Sequence, residues 1–451
     1  MGSVPVLTMF FRAGARKRLW MSGGMLGVFL LTLIVGNHFI VRDRSVTREM
    51  LGHDFLAFYT AGSFVRQGRA HELYNLDSVR DFEQATARAA GLEVGKSFGP
   101  WWNPPFYALV FSPLARLPYG RALDVWRWIS LGAVAVAIGL LCRIVAQSSL
   151  GSRWQQWMLV PLLIVISMPF IQAISHGQNT FTSLLVLTVT VVLWRSDRKL
   201  MAGVAAGLLF YKPQLGAVVA AAMVVDLGWP AMAGLSITGV GLLAVTLIAM
   251  PGSLRDWLVQ LPANVHWMQV EHAYLWERHV TLKAFWRLLL QGREAGEPTL
   301  LTTALTWASL AAVGGGLGWT IIRGWNDRLG TDRRVRRDRL IAATITAMPL
   351  LMPFYFDYDL LLLAIPATLY AAERIADPSL QLDRDLWLTG GWVCLFLWLF
   401  VNPAFALHTH VSGTVMILSC VAVLSIRRVN RVDRAAAPIW IFRPSELAIA
   451  A

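Results

Sequence analysis

The chain is built from blocks of apolar residues that carry almost no charge, and these blocks decide what it can fold into. Met158–Ile174, Phe181–Trp194 and Leu305–Ile322 are three of them. Runs of that length bury themselves either in lipid or in a very large core. Of the 451 residues, 56% are hydrophobic and only 15% are charged, with a mean hydropathy of +0.53. A soluble globular chain carries about 25% charged residues. Lipid is the reading that fits, and the fold class it gives is an all-α polytopic membrane protein.

The net charge of +13 raises the question of nucleic acid. The basic residues cluster in short loops between apolar runs, which is the pattern of loops facing an anionic leaflet and not of a nucleic-acid surface. No nucleic-acid partner is expected. Many of the 20 tryptophans flank the apolar runs, among them Trp20, Trp101, Trp102, Trp157, Trp194 and Trp229, where an indole sits well at the headgroup level. Cys142, Cys394 and Cys420 lie within apolar stretches and offer neither a disulfide framework nor metal-ligand spacing.

About thirteen apolar segments can be marked, at 20–41, 104–117, 121–142, 156–173, 179–194, 200–212, 213–229, 231–250, 301–322, 340–353, 359–372, 386–402 and 405–426. If all crossed, the termini would lie on opposite sides. Both termini carry basic clusters: Arg12, Arg16, Lys17 and Arg18 at one end, and Arg427, Arg428, Arg431 and Arg434 at the other. The positive-inside bias places both in the cytoplasm. One segment must fail to cross, and 104–117 is the candidate, being short and broken by Pro104, Pro105 and Pro113.

That choice leaves about 12 transmembrane helices. It gives a cytoplasmic tail over 1–19, a membrane domain over 20–426 and a second cytoplasmic tail over 427–451. The loops 42–120, 174–179, 211–214, 251–300, 353–359 and 402–410 fall outside, and the unusual polar clusters gather on that one face.

Asp54 follows Gly52-His53 and sits among Leu51, Phe55, Leu56 and Phe58. A carboxylate in such a setting needs a partner or a task, although Asp before an apolar run is also a common helix N-cap. Ser175-His176-Gly177-Gln178-Asn179 is a polar break in which a plain turn needs only Gly and Asn. Lys212 interrupts a long apolar stretch, either snorkelling to the interface or anchoring a phosphate. Tyr355, Asp357, Tyr358 and Asp359 stand together at 355–359; Asp359 reads as a cap for the next helix, and the others as lining of a polar cavity. Loop 251–300 holds Trp257, His266, Trp267, Glu271, His272, Trp276, Arg278, His279 and Lys283. Its histidine spacing matches no zinc pattern. There is no Walker motif, glycine-rich phosphate loop or G-x-S-x-G element.

The succession Asp54-Phe55 with Tyr59, Asn103-Pro104-Pro105, Gly177-Gln178-Asn179, Gly203 and Gly207 before Lys212-Pro213, and Phe356-Asp357-Tyr358-Asp359 resembles glycosyltransferase family 87. The likeness runs over roughly 50–370. It implies a GT-C-like helical bundle with juxtamembrane helices in the first extracytoplasmic loop, and inverting transfer from a polyprenyl-phosphate sugar to a lipid or glycan acceptor. Mannose is the expected sugar.

By the same resemblance, Asp54 takes the place of the general base that deprotonates the acceptor hydroxyl. Lys212, Arg278 and His176 are the candidate cations for the leaving phosphate, and Gln178, Asn179, Tyr355, Asp357 and Tyr358 complete the expected substrate site. No acidic pair stands beside Asp54, so neither metal nor cofactor is expected. A membrane transporter or lipid flippase is the rival reading, against which the one-sided gathering of polar clusters speaks.

Overall fold

The computed structural model describes residues 52–92, 98–146, 160–326, 333–376 and 382–430. The expected first span at 20–41 and both tails beyond 51 and 430 lie outside these. Every regular element among the described residues is helical, apart from one isolated antiparallel bridge between His279 and Phe356.

Among the described residues, three helices are long and apolar enough to cross a membrane: Tyr119–Ala146, Trp229–Ala249 and Leu300–Arg323. A fourth crossing is available if Asp385–Trp398 and Asn402–Thr409, bent by 79°, count as one broken span. Thr180–Arg195, Lys199–Tyr211 and Pro213–Leu227 are shorter apolar helices. The outer faces of the long helices are as apolar as their inner ones. Ile248 is 83% exposed, Val240 65% and Trp307 68%, a surface that water would penalise and lipid would not. This is a helical membrane protein.

Segment 104–117 folds as two pieces, the six-residue helix Phe106–Phe111 and the 3-10 turn Leu114–Arg116. Six residues rise about 9 Å, well short of a bilayer core. The Lys199–Gly207 helix packs on Trp229–Ala249 at backbone contact, since a Cβ on Gly203 would meet the carbonyl oxygen of Ala231 and one on Gly207 would meet Thr238. The two glycines of that motif thus serve helix packing.

The helices run between two polar ends. Thr180–Arg195 starts beside the 174–179 turn and finishes at a knot of ion pairs, where Arg195 bonds both oxygens of Asp338 at 2.6 and 2.8 Å. Arg337, on the helix Arg333–Leu351, bonds Asp226 at 2.7 Å, Asp197 at 3.1 Å and the carbonyl of Trp194 at 3.2 Å. Nearby, Arg339 and Arg428 share Glu373, and Arg428 also reaches Asp385. The loops at 174–179, 211–214, 251–300 and 353–359 meet one another at the other end.

Candidate active site

Asp54 lies in the first turn of the helix His53–Arg66, whose N-cap is Gly52 in the left-handed conformation with no side-chain cap bond. The capping role that the sequence allows for Asp54 is therefore not the one it plays. Its carboxylate turns to the 174–179 segment instead. Oδ2 accepts a 2.8 Å bond from Gln178 Nε2 and lies 3.2 Å from His176 Nδ1, while Oδ1 is 3.9 Å from His53 Nδ1.

Two glycines make this meeting possible. The Gly52 amide donates to the Ser175 carbonyl at 2.7 Å, and Gly177 ends the Met168–His176 helix with φ +69°. A Cβ on Gly177 would come within 2.8 Å of Phe55 Cβ, so any side chain there would push the two segments apart. Tyr119 donates to the Gly52 carbonyl at 2.7 Å and Trp126 to the Gly177 carbonyl at 2.8 Å. Both donors belong to Tyr119–Ala146, so one long helix clamps both halves of the contact. Beneath it Phe55 stacks on Trp126, and Phe58 on Phe111 at 4.8 Å between centroids.

Burial by itself would favour the neutral form of Asp54. The charge and hydrogen bond of His176, with bonds from His53 and Gln178, outweigh it and hold the carboxyl well below the usual carboxylate range. The side chain keeps 30% of its surface open, against 6% for His176. His176 Nε2 and Asn179 Oδ1 are buried without a hydrogen-bond partner. Other buried polar atoms among the described residues are also unpaired, including Thr188 Oγ1 and Trp392 Nε1, so the two mark this site only together with the open carboxylate beside them.

The 353–359 segment forms the opposite wall. Asp357 takes a two-bond fork from Arg278, at 3.0 and 3.2 Å, and a third bond from Gln172 at 3.1 Å. Asp359 accepts from Lys212 at 3.0 and 3.1 Å and from Thr180 at 2.8 Å. Asp359 is thus no cap, and Lys212 does not snorkel; the two form a buried pair. Tyr355 is also buried and donates to the Asp359 carbonyl at 2.8 Å, which fixes the turn.

Tyr358 stands between the two pairs, its ring stacked on Phe356, 6.5 Å from the His176 ring and 5.8 Å from Lys212 Nζ. Arg278 is deeply placed. Burial disfavours its charge, but Asp357, with smaller contributions from Asp54 and Tyr358, drives its pKa above the ordinary guanidinium value. The field of Asp54 therefore reaches Arg278, so Asp54 and the Arg278–Asp357 pair share one electrostatic neighbourhood.

The Asn103-Pro104-Pro105 stretch joins from the side. The Asn103 carbonyl accepts from Tyr74, and Pro105 caps the helix that carries Tyr107. Tyr107 receives a 3.1 Å bond from Asn179 Nδ2 and stacks on Tyr211 at 4.3 Å, next to Lys212. Asn179 is fully buried and serves this internal link. His279 bonds Tyr274 at 2.9 Å; burial, with the charges of Arg278 and Lys283, lowers its pKa to about 3 and keeps it neutral. His266 pairs instead with Glu271 and Glu297 at the surface.

Sequence reasoning passed over Gln172, Thr180 and Glu83. Gln172 and Thr180 are polar residues at apolar-helix ends and carry the signal of a polar group that needs a partner. Glu83 lies on the amphipathic helix Leu76–Ala89, buried, with one oxygen accepting from the Gly99 amide at 2.8 Å and the other unpaired. Among the described residues no group of three or more His, Cys, Asp or Glu side chains stands ready to hold a metal ion.

Compared with known families, residues 101–353 match the model of glycosyltransferase family 87. No curated protein and no solved structure matches the chain.

Proposed function

Since the chain belongs to glycosyltransferase family 87, we propose that this glycosyltransferase is an inverting hexosyltransferase that takes mannose from a polyprenyl-phosphate donor. The acceptor is a lipid or glycan, and the reaction takes place on the extracytoplasmic side of a cell membrane. One observation carries the reading. Asp54 is a partly open carboxylate released from capping, ionised, and held at 3.2 Å by His176 Nδ1 and at 2.8 Å by Gln178 Nε2.

The acceptor hydroxyl attacks the anomeric carbon from the side opposite the phosphate. Its oxygen forms the new C–O bond, the C–O bond to the phosphate breaks, and the polyprenyl phosphate leaves with that electron pair. The hydroxyl proton passes to Asp54. A carboxylate of low pKa is a weak base for a free alcohol, but a hydroxyl bonding to an electron-poor sugar carbon becomes strongly acidic as the bond forms. His176 and Gln178 aim the carboxylate.

The leaving phosphate needs positive charge that remains available. Lys212 is committed to Asp359 by two bonds. Arg278 is likewise forked onto Asp357 but keeps 19% of its side chain open, against 10% for Lys212, and His176 has a second ring nitrogen to offer; these two are the better placed groups. The sidedness follows from charge, with the basic clusters of both termini inside and the site loops outside. The transporter or flippase reading has no observation in its favour.

Purified protein incubated with labelled polyprenyl-phosphate hexoses and membrane lipid acceptors is the test. Transfer with inversion at the anomeric carbon is expected. Transfer from nucleotide sugars only would overturn the donor assignment.

A further inference from the structure

Beside the site lies a pocket of about 550 Å³, within the usual size of small-molecule sites, roughly 300–1,000 Å³. Its walls are the end of the helix Leu282–Gln291 and the end of Asn402–Thr409, and they present Leu289, Leu290, Arg293, Glu294, Leu407 and His410.

The two walls touch through an uncommon pair of backbones. Gly292 has φ +65° and His410, which is not glycine, has φ +59°. A Cβ on Gly292 would stand 3.2 Å from the His410 ring. A left-handed backbone is unfavourable for a histidine, and here that conformation places an imidazole on the pocket wall.

The turn Trp276–Arg278 separates this pocket from the candidate active site. Its consecutive charged residues serve the two sides: Arg278 forks onto Asp357, while Glu277 lies 3.2 Å from Arg293 Nε. Arg293 lines the pocket, and its side chain keeps 36% of its surface open.

We propose that this pocket is a subsite for a sugar of the acceptor remote from the attacking hydroxyl, which itself reaches Asp54 on the other side of the Trp276–Arg278 turn. Arg293, Glu294 and His410 bond its hydroxyls, and Leu289, Leu290 and Leu407 receive the start of an alkyl chain. The proposal rests on the glycosyl-transfer reading given above. The lining mixes donors and acceptors and is close to neutral, because its Arg293 and Glu294 carry opposite charges. That balance suits a polyol. A phosphate headgroup would meet Glu294 and a guanidinium already half neutralised.

The test is calorimetric titration of the whole protein in lipid nanodiscs with dodecyl mannoside and with methyl mannoside, after subtraction of empty nanodiscs. Leu407→Trp fills the pocket, and His410→Asn shortens the imidazole while keeping a residue that tolerates the left-handed backbone. Wild type should bind dodecyl mannoside saturably, and each variant should bind it about tenfold more weakly or worse. Equal affinity for the two probes would mark a free glycan acceptor, and weaker methyl mannoside a glycolipid; both outcomes support the subsite. Absence of saturable binding to wild type, or affinities unchanged in both variants, overturns it. Catalysis is not needed for this readout. A protein that binds here and transfers nothing from polyprenyl-phosphate sugars keeps the subsite and loses the donor assignment.

Discussion

The two polar ends of the bundle contain similar residues used in opposite ways. At the end around Arg195 and Arg337, arginines and acids interlock so that Arg337 alone bonds two carboxylates and a carbonyl. At the other end Asp54 remains partly open, and His176 Nε2 and Asn179 Oδ1 have no partner. Charges that satisfy one another hold helices in register, and at the Arg337 end Arg428 Nη1 is a buried guanidinium nitrogen without an ion-pair or hydrogen-bond partner among the described residues. Where bonding is left incomplete, a substrate can complete it. The contrast locates the chemistry more sharply than the presence of charge does, since both ends are charged.

The largest effect that would break this comparison is at the base. Asp54→Asn should remain folded, with a thermal transition close to that of wild type, and transfer sugar slower by about 100–10,000-fold. Full turnover in a stable Asn variant, measured alongside its melting curve, would remove Asp54 from the mechanism. At the other end, Arg337→Leu removes the buried cation bonded to Asp226, which Trp194 Nε1 also bonds, and should lower stability by about 3 kcal/mol. Its turnover per folded molecule should stay near wild type, which quantifying active protein against total protein would show. A loss of turnover without a loss of stability would mean that the two ends are not so divided.

Lys212 sharpens the comparison because it lies at the site end but is paired like the far end. Lys212→Met should destabilise, since Asp359 is then buried with only Thr180 as partner, and adding Asp359→Asn should restore most of the lost melting temperature. Donor affinity recovering in the double variant would make Lys212 a structural residue. Affinity that stays low in a restored fold would return it to the phosphate.

The smallest effect concerns Glu83. Burial, aided by the charge of Asp54 and opposed by the Gly99 amide, raises its pKa to about 8 in the folded chain, against about 4.3 for a free glutamate. The unfolded chain loses that proton first, so the stability that the neutral carboxyl permits is present at acid pH and drains away as pH rises from about 4.3 to 8. Glu83→Gln should therefore melt higher than wild type at pH 8 and nearly equal to it at pH 5. Equal melting at both values would show that Glu83 is ionised in the fold.

Much of the frame was legible in the chain. The blocked apolar runs gave helices at nearly every marked segment within the described residues, and the prolines of 104–117 foretold its two short pieces. Asp54, His176, Gln178 and Arg278 stood out because polar groups in apolar surroundings must find partners. The partners themselves could not be read. Arg278 and Asp357 are 79 residues apart and Lys212 and Asp359 are 147 apart, and periodicity says nothing about pairing across such distances. The same limit misassigned Asp359 to capping, which is a local rule, when a distant lysine outbid the local backbone. Glu83 gave no signal, because a glutamate on an amphipathic helix ordinarily faces water.

The backbone contact between Gly52 and the 175–177 segment has a consequence for how such an enzyme changes over time. The alignment of Asp54 with His176 is fixed by main-chain atoms and by two donors from one long helix. No side chain of the 251–300 or 402–410 loops takes part in those bonds. Mutations that reshape the acceptor walls can accumulate there without moving the carboxylate. Under the proposed reading, residues of those loops other than Arg278 can change which acceptor is held while the main-chain contact keeps Asp54 and His176 aligned.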